Sequence, residues 1–304
     1  MGMRIVFMGT PEFAVASLRE LVNSNQEIVG VITAPDRPQG RGKKMGVSAV
    51  KAFALLNELR VLQPDNLKEK SFIKELLSLE ADLQIVVAFR MLPEVIWSMP
   101  KRGTFNLHAS LLPQYRGAAP INWALINGES ETGVTTFFLD KKIDTGKIIL
   151  QEKEVIQEED DFGTLYGKLM LKGASLILRT VSLIEKGSID TMPQNDENAS
   201  PLAPKIFKQD CEINWAQDAD SIVNFIRGMS PHPTAWCKFN NEILKIFHVN
   251  KITTNHLDSG EFESDGKKYL HFGTQTSDLA ITTLQIQGKK KMTVEEFLNG
   301  YRMN

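Results

Sequence analysis

Cysteine is scarce in this 304-residue chain. Cys211 and Cys237 are the two present, and they form no metal-spaced pair. That excludes a disulfide-built fold, supplies no zinc motif, and suits a metal-free protein of a reducing compartment. Long apolar runs are missing as well. Ile5–Met8 is far below membrane length and stops at Gly9-Thr10-Pro11, so neither a signal peptide nor a span is expected and the cytoplasm is the expected location. Met1-Gly2 could open a myristoylation signal, but Val6 stands where that signal needs Ser or Thr. Charge of one sign is also lacking. The net charge is −2, and residues 205–304 carry 12 Lys+Arg against 12 Asp+Glu. Any affinity for nucleic acid must therefore come from local clustering.

The nucleotide-binding motifs are absent too. After the first apolar run a dinucleotide fold wants Gly-x-Gly-x-x-Gly, so that backbone N–H groups can approach a pyrophosphate. Here Pro11 removes a donor and Glu12 adds negative charge, which argues against NAD. No Walker A loop, serine-hydrolase elbow or zinc spacing occurs.

What is there alternates between strand and helix. Residues 4–9 read as a strand, followed by a helix to about Ser24 with Thr10 as N-cap and Pro11 as its first residue. Glu27–Ala34 and Ala81–Phe89 read as strands. Val47–Leu59 and Asn66–Glu80 read as helices. The run Ile85-Val86-Val87-Ala88 suits a strand buried on both faces, so an α/β fold with a doubly wound, mostly parallel Rossmann-like sheet is expected. Thr132–Ile156 reads as two extended segments around a turn at Asp140–Gly146, and Thr164–Lys186 as a long amphipathic helix. Ser188–Lys205, with three prolines and little periodicity, marks a linker. Beyond it come a helix over Asp218–Met229 and short alternating runs at Ala235–Phe239, Ile243–Val249, Lys268–Phe272 and Ala280–Gln285. These suggest a small barrel. The expected division is 1–188, a linker over 189–205, and a second domain over 206–304.

Two stretches could carry chemistry. In Phe105-Asn106-Leu107-His108-Ala109-Ser110-Leu111-Leu112-Pro113, Asn106 and His108 fall two apart, on one face of a strand, with Ser110 on that face if the strand continues. The strand would end in the crevice where open α/β sheets bind ligands. Asp144, in Ile143-Asp144-Thr145-Gly146, is the carboxylate that could complete the set. An amide and an imidazole can donate to a developing oxyanion, and a His oriented by a carboxylate can manage a proton. The alternative is a hydrogen-bonded structural pair. The second stretch, Asp36-Arg37-Pro38-Gln39-Gly40-Arg41-Gly42-Lys43-Lys44, reads as a mobile basic loop. It is either a solvated surface loop or a phosphate contact. Lys289-Lys290-Lys291 is a shorter basic run of the same ambiguity.

Taken together these residues resemble the methionyl-tRNA formyltransferase family over nearly the whole chain. The similar segments are Arg4–Ala14, the Asp36–Lys44 loop, Asn106–Pro113 with Arg116-Gly117-Ala118-Ala119-Pro120-Ile121, Asp144-Thr145-Gly146, Ile226–Pro231 and Gly288–Met292. The resemblance implies a folate-dependent formyltransferase. Its donor would be 10-formyltetrahydrofolate and its acceptor the α-amino group of methionine on initiator tRNA, giving formylmethionyl-tRNA for translation initiation. It further implies that Asn106, His108 and Asp144 are catalytic, with Asp144 orienting His108, and that Ser110, Leu111, Leu112 and Pro113 lie along the folate. Arg37, Arg41, Lys43 and Lys44 would meet tRNA, and the C-terminal domain would be an OB-like β-barrel. No metal, no membrane and a monomeric chain are expected. Two positions depart from the family pattern. Ala88-Phe89-Arg90-Met91-Leu92-Pro93 replaces Ala-Tyr-Gly-x-Ile-Leu-Pro and is one residue shorter, and His232 stands where an aromatic such as Trp is expected. A formyltransferase acting on a sugar-nucleotide amine would share the catalytic residues without needing the basic loop or a tRNA-facing barrel. A non-catalytic RNA-binding protein would need none of the three.

Overall fold

The computed structural model describes residues 2–39 and 44–301. Two compact units are interleaved in sequence. The first comprises residues up to Gly117, Gly133–Glu154 and Tyr166–Leu202. The second comprises Ala118–Thr132, Val155–Leu165 and the chain from Ala203 on. Ala118–Thr132 and Val155–Leu165 cluster with the C-terminal residues.

The N-terminal elements run β1 (Arg4–Gly9), α1 (Glu12–Val22), β2 (Glu27–Ile32), β3 (Arg37–Gln39), β4 (Lys44–Gly46), α2 (Ala49–Leu56), β5 (Val61–Leu62), α3 (Lys70–Ser78), β6 (Leu83–Val87), α4 (Glu94–Trp97) and β7 (Thr104–His108). After α5 (Pro120–Ile126) come β8 (Glu131–Phe138), β9 (Ile148–Val155) and α6 (Phe162–Lys186). Seven strands form one sheet in the order β5-β2-β1-β6-β7-β8-β9. The pairs β1–β2, β1–β6, β2–β5 and β6–β7 are parallel, and β7–β8 is antiparallel. This is the Rossmann-like sheet expected. Every residue of β6 is buried, as a strand covered on both faces requires. The sheet's aromatic ballast is Phe7, Phe105 and Phe137, all fully buried.

Several boundaries shift for local reasons. Pro11 is extended and takes the N-cap place itself, so α1 starts at Glu12 and Thr10 stands one residue too early to cap it. Asn66 Oδ1 accepts the Lys68 N–H, which spends residues 66–69 on a turn and delays α3 to Lys70. Ser48 Oγ accepts the Lys51 N–H at 3.0 Å and opens α2, a cap worth about 1 kcal/mol. The basic segment departs most from expectation. Its flanks form an antiparallel ladder, β3 against β4, pairing Arg37 with Gly46 and Gln39 with Lys44. Those flanks are paired where a mobile basic loop was expected, and Gly40–Lys43 lie outside the described residues.

In the second unit, α7 (Ala219–Met229), β10 (Ala235–Phe239), β11 (Glu242–Lys251), β12 (Phe262–Ser264), β13 (Leu270–Phe272), β14 (Leu279–Ile286), β15 (Met292–Thr293) and α8 (Val294–Gly300) follow in order. The strands form an antiparallel OB-like half-barrel with the path β10-β11-β14-β13-β12, and β15 on β14. β13 is shorter than its apolar run because Asp265 Oδ1 accepts the N–H groups of Lys267, Lys268 and Tyr269 in the preceding turn. Trp215 stacks on Phe272 at 4.5 Å over a core that includes Phe239, Phe297 and Ile226. Both cysteines are free and buried, and burial pushes the Cys237 thiol up to about 12. α5 packs on α7, where Asn122 Nδ2 donates to Gly228 O at 2.7 Å. A Cβ at Gly228 would meet Ile126 Cγ1 at 2.7 Å, so that close approach needs glycine.

Candidate active site

Strand β7 ends at His108 beside β6 and β8, with Asn106 opposite Val86 and Phe137. Asn106 is half-buried, and its amide has no hydrogen-bond partner among the described residues. His108 is 6% exposed, and its Nε2 lies 2.8 Å from the carbonyl oxygen of Tyr115. A carbonyl can only accept, so Nε2 carries the proton and the neutral ring keeps its lone pair at Nδ1. That Nδ1 stands 3.9 Å from Asp144 Oδ2. The carboxylate oxygen instead accepts the Gly117 N–H at 3.0 Å. The carboxylate expected to orient His108 thus stands beyond hydrogen-bond length of the ring. Tyr115 orients the ring, and Asp144 faces it across an unbridged gap.

The loop that does this is tightly tied. Ser110 Oγ donates to Gln114 O at 2.8 Å, and Thr135 Oγ1 donates to Ser110 O at 2.6 Å. Thr135 Oγ1 also accepts the Leu112 N–H, and Gln151 Nε2 donates to Leu112 O at 2.8 Å. These bonds bend the chain after β7 so that Tyr115, at φ 59°, presents its carbonyl back to His108. Among the residues expected along the folate, Ser110 and Leu112 are buried within the protein, Leu112 against Phe137 and Ile148. Leu111 and Pro113 are half-buried and retain exposed surface.

Asp144 sits at φ 55° in the turn between β8 and β9. Asp140 Oδ1 accepts the Lys142 N–H and the Thr145 hydroxyl, closing that turn. A Cβ on Gly146 would fall 1.6 Å from Phe138 O, so the third residue of Asp144-Thr145-Gly146 has to be glycine. The turn's outer carbonyls, Asp144 O and Gly146 O, both accept from Gln194 Nε2.

Arg90, where the family pattern differs, donates to Asp65 O at 2.9 Å and to Pro64 O, and its guanidinium lies 5.6 Å from the Phe89 ring centroid. It therefore anchors the segment after β6 to residues 64–65. Arg37 is exposed on β3, and Lys44 begins β4. Arg41 and Lys43 lie outside the described residues. His232 is exposed. Among the described residues no group of three or more His, Cys, Asp or Glu could hold a metal ion, and no helix is long and apolar enough to cross a membrane.

Of the residues expected from the sequence, His108 and Asp144 face each other at 3.9 Å, and Asn106 lies two residues earlier on the same strand. Sequence reasoning missed Tyr115, Thr135 and Gln194. Tyr115 acts through its backbone, which leaves no side-chain signature. Thr135 is one of several apolar-strand threonines. Gln194 lies in a stretch whose composition reads as linker.

An amide without a hydrogen-bond partner among the described residues, an imidazole and a carboxylate meet near the end of β7, a set of groups that could act on a carbonyl. The family model described as formyl transferase matches residues 3–181, and that of the formyl transferase C-terminal domain matches residues 205–302. This chain belongs to the formyl transferase family. Within it, the chain belongs with the methionyl-tRNA formyltransferases. The protein of that name from Parabacteroides distasonis is 51% identical over 311 residues, covering 99% of this chain and 96% of that protein. The one from Flavobacterium johnsoniae is 51% identical over 303 residues, 98% of this chain and 96% of that protein. Among solved structures, the sugar 3N-formyl transferase WlaRD superposes with a TM-score of 0.66 at 23% identity, covering 95% of this chain and 100% of that one. HypX from Aquifex aeolicus, in complex with tetrahydrofolic acid, superposes with a TM-score of 0.65 at 18% identity. This chain spans about half of HypX's length, 49% of it. At these identities the two structures speak to fold.

Proposed function

We propose that this protein transfers a formyl group from 10-formyltetrahydrofolate to the α-amino group of methionine esterified to initiator tRNA, yielding N-formylmethionyl-tRNA for translation initiation. The observation that carries the reading is the match at 51% identity over 99% of this chain and 96% of that methionyl-tRNA formyltransferase.

The site suits the donor, because the unpaired Asn106 amide and the free His108 Nδ1 are what a formyl carbonyl and an attacking amine require. When bound, the donor supplies a one-carbon unit at the formyl oxidation level on nitrogen. Leu111 and Pro113, with Ser110 and Leu112 fixing them from behind, give it an apolar edge. The Asn106 amide donates to the carbonyl oxygen as that oxygen gains negative charge. Two acceptors 3.9 Å apart, Nδ1 and Asp144 Oδ2, can each take an N–H from one amine nitrogen about 2.9 Å from both. That places the amine for attack in its neutral form. A free α-amino group titrates at about 7.7–8.0, so a modest base suffices. His108 takes the amine's proton at Nδ1, with the Asp144 carboxylate stabilising the imidazolium, and returns it to the departing nitrogen. One C–N bond forms and one breaks, and the proton moves between the two nitrogens.

Arg37, Arg41, Lys43 and Lys44 supply phosphate contacts to the tRNA, and residues 206–304, joined through 189–205 to a catalytic part at 1–188, help to hold it. A single chain carries all the named groups, so the working unit is a monomer, which light scattering would check, and it works in the cytoplasm. The deciding experiment offers radiolabelled 10-formyltetrahydrofolate with either methionyl initiator tRNA or an amino-sugar nucleotide. Label in the tRNA is the expected result. Label passing to the sugar nucleotide alone overturns the acceptor assignment.

A further inference from the structure

We propose that Gln194 is a positioning residue for the carboxylate of this site: its side-chain amide, clamped by Arg116, holds the Asp144–Gly146 turn at the distance from His108 that proton transfer needs. The inference rests on the role given to Asp144 above and goes beyond it, because Gln194 lies between the two family matches, which end at 181 and resume at 205.

Its geometry is specific. Nε2 of Gln194 donates to Asp144 O at 2.9 Å and to Gly146 O at 2.8 Å, so both amide hydrogens are used on the two ends of one three-residue turn. Oε1 accepts from Arg116 Nε at 3.0 Å and Arg116 Nη2 at 2.7 Å. A guanidinium has no acceptor, so the amide cannot be flipped without losing all four bonds. Arg116 is itself held by Asp196 Oδ1 at 2.9 Å. Backbone pairing between Met192 and Ile148 brings this strap alongside β9. A non-glycine residue at φ 55° persists only where its surroundings over-determine it, and Gln194 spans the turn that contains it.

The connection reaches the other catalytic group within three residues. Tyr115 accepts from His108 through its carbonyl, Gly117 donates to Asp144 through its N–H, and Arg116 between them grips Gln194. Imidazole, carboxylate and strap thus share the tripeptide Tyr115-Arg116-Gly117. Releasing Gln194 frees the acid to drift relative to the base, and a displacement near 1 Å can cost ~10²-fold in rate.

The test uses the full-length chain with labelled donor and charged tRNA. Gln194→Glu retains the oxygen that accepts both bonds from Arg116 but has no hydrogen for the two turn carbonyls, and Gln194→Met removes both ends. Each variant is measured alone and combined with Asp144→Asn, with thermal melting alongside. The expected result is a kcat lowered ~10- to 100-fold in Gln194→Glu with KM for charged tRNA changed less than about twofold. The double variant Gln194→Glu/Asp144→Asn should be no slower than Asp144→Asn alone, within about twofold, since a residue acting through Asp144 loses its effect once the carboxylate is gone. Should Gln194→Glu fail to fold, Gln194→Met carries the same comparison. Normal kcat in the folded variants, or losses that multiply in the double variant, would overturn the inference while leaving the Asp144 role intact. Normal kcat in Asp144→Asn alone would remove the underlying role, and the inference with it.

Discussion

Nδ1 of His108 and Oδ2 of Asp144 face each other at 3.9 Å, each supported from the same short loop, by the Tyr115 carbonyl and the Gly117 N–H. The gap is too long for a hydrogen bond and matches the span that one amine nitrogen can bridge. His108→Ala should therefore lower kcat by ~10²–10⁴-fold through loss of the base. Asn106→Ala should lower it by ~10²–10³-fold through loss of a donor to the carbonyl oxygen. Asp144→Asn keeps an oxygen for the Gly117 N–H yet loses the charge that supports the imidazolium, so turnover should fall while melting changes little. Single-turnover formylation at saturating donor measures all three. Wild-type rates in both His108→Ala and Asp144→Asn would end this assignment.

Gly146 gives a structural prediction about the same turn. A methyl group there would sit 1.6 Å from Phe138 O, a backbone atom that can yield only if β8 moves. Gly146→Ala should destabilise the protein by on the order of 3 kcal/mol or more, the upper range for forced overpacking. Activity should fall more steeply than stability, since the residue two places earlier is the carboxylate. Urea unfolding beside steady-state formylation tests this, and an unperturbed unfolding midpoint would show that the turn has slack.

The basic segment predicts a salt signature. Each phosphate contact contributes about 0.7–0.9 to the slope of log K against log salt. Arg37→Ala, on the exposed face of β3, should lower binding of charged tRNA and reduce that slope by about 1. Arg41→Ala should act likewise. KM for the folate donor should stay put in both. A slope identical to wild type would return the segment to ordinary surface.

Much of the first unit could be read from residue order, for physical reasons that differ by element. β6 announces itself because burial on both faces demands an unbroken apolar run, and Asn106 and His108 share a face because a strand has period two. Asp144 was recognisable from the glycine two residues on, which the collision at Phe138 O explains. What stayed hidden depends on backbone and long-range contacts. The Tyr115 carbonyl is a group every residue has. Gln194 works at a separation of 50 residues from the turn it holds, inside a Pro-rich stretch with no periodicity. The short strands β12 and β15 lacked enough residues for alternation to show.

The C-terminal unit carries its own pH dependence. His256 presents Nε2 to Glu263 Oε2 at 3.0 Å and Nδ1 to Asp278 Oδ2 at 3.0 Å, while His271 Nδ1 approaches Glu263 Oε1 at 3.4 Å. A doubly protonated ring satisfies both carboxylates, whereas a neutral ring turns one nitrogen lone pair toward a carboxylate oxygen. The hydrogen bond that His256 donates to Glu263 accordingly raises the His256 pKa above the usual 6.5, and the same contact lowers that of Glu263 below the usual 4.5. The raised His256 value means that its contribution is complete below about pH 6.5 and is lost as pH rises through the folded-state value. The lowered Glu263 value means that its contribution is complete above about pH 4.5 and is lost as pH falls through its own. The pair is therefore fully effective between these limits. His256→Gln should narrow its stability deficit against wild type as pH is raised from 6 to 9, with kcat for formyl transfer unchanged. Urea unfolding of both proteins across that range measures the deficit, and a constant difference would mean that the ring does not bridge these carboxylates as a cation.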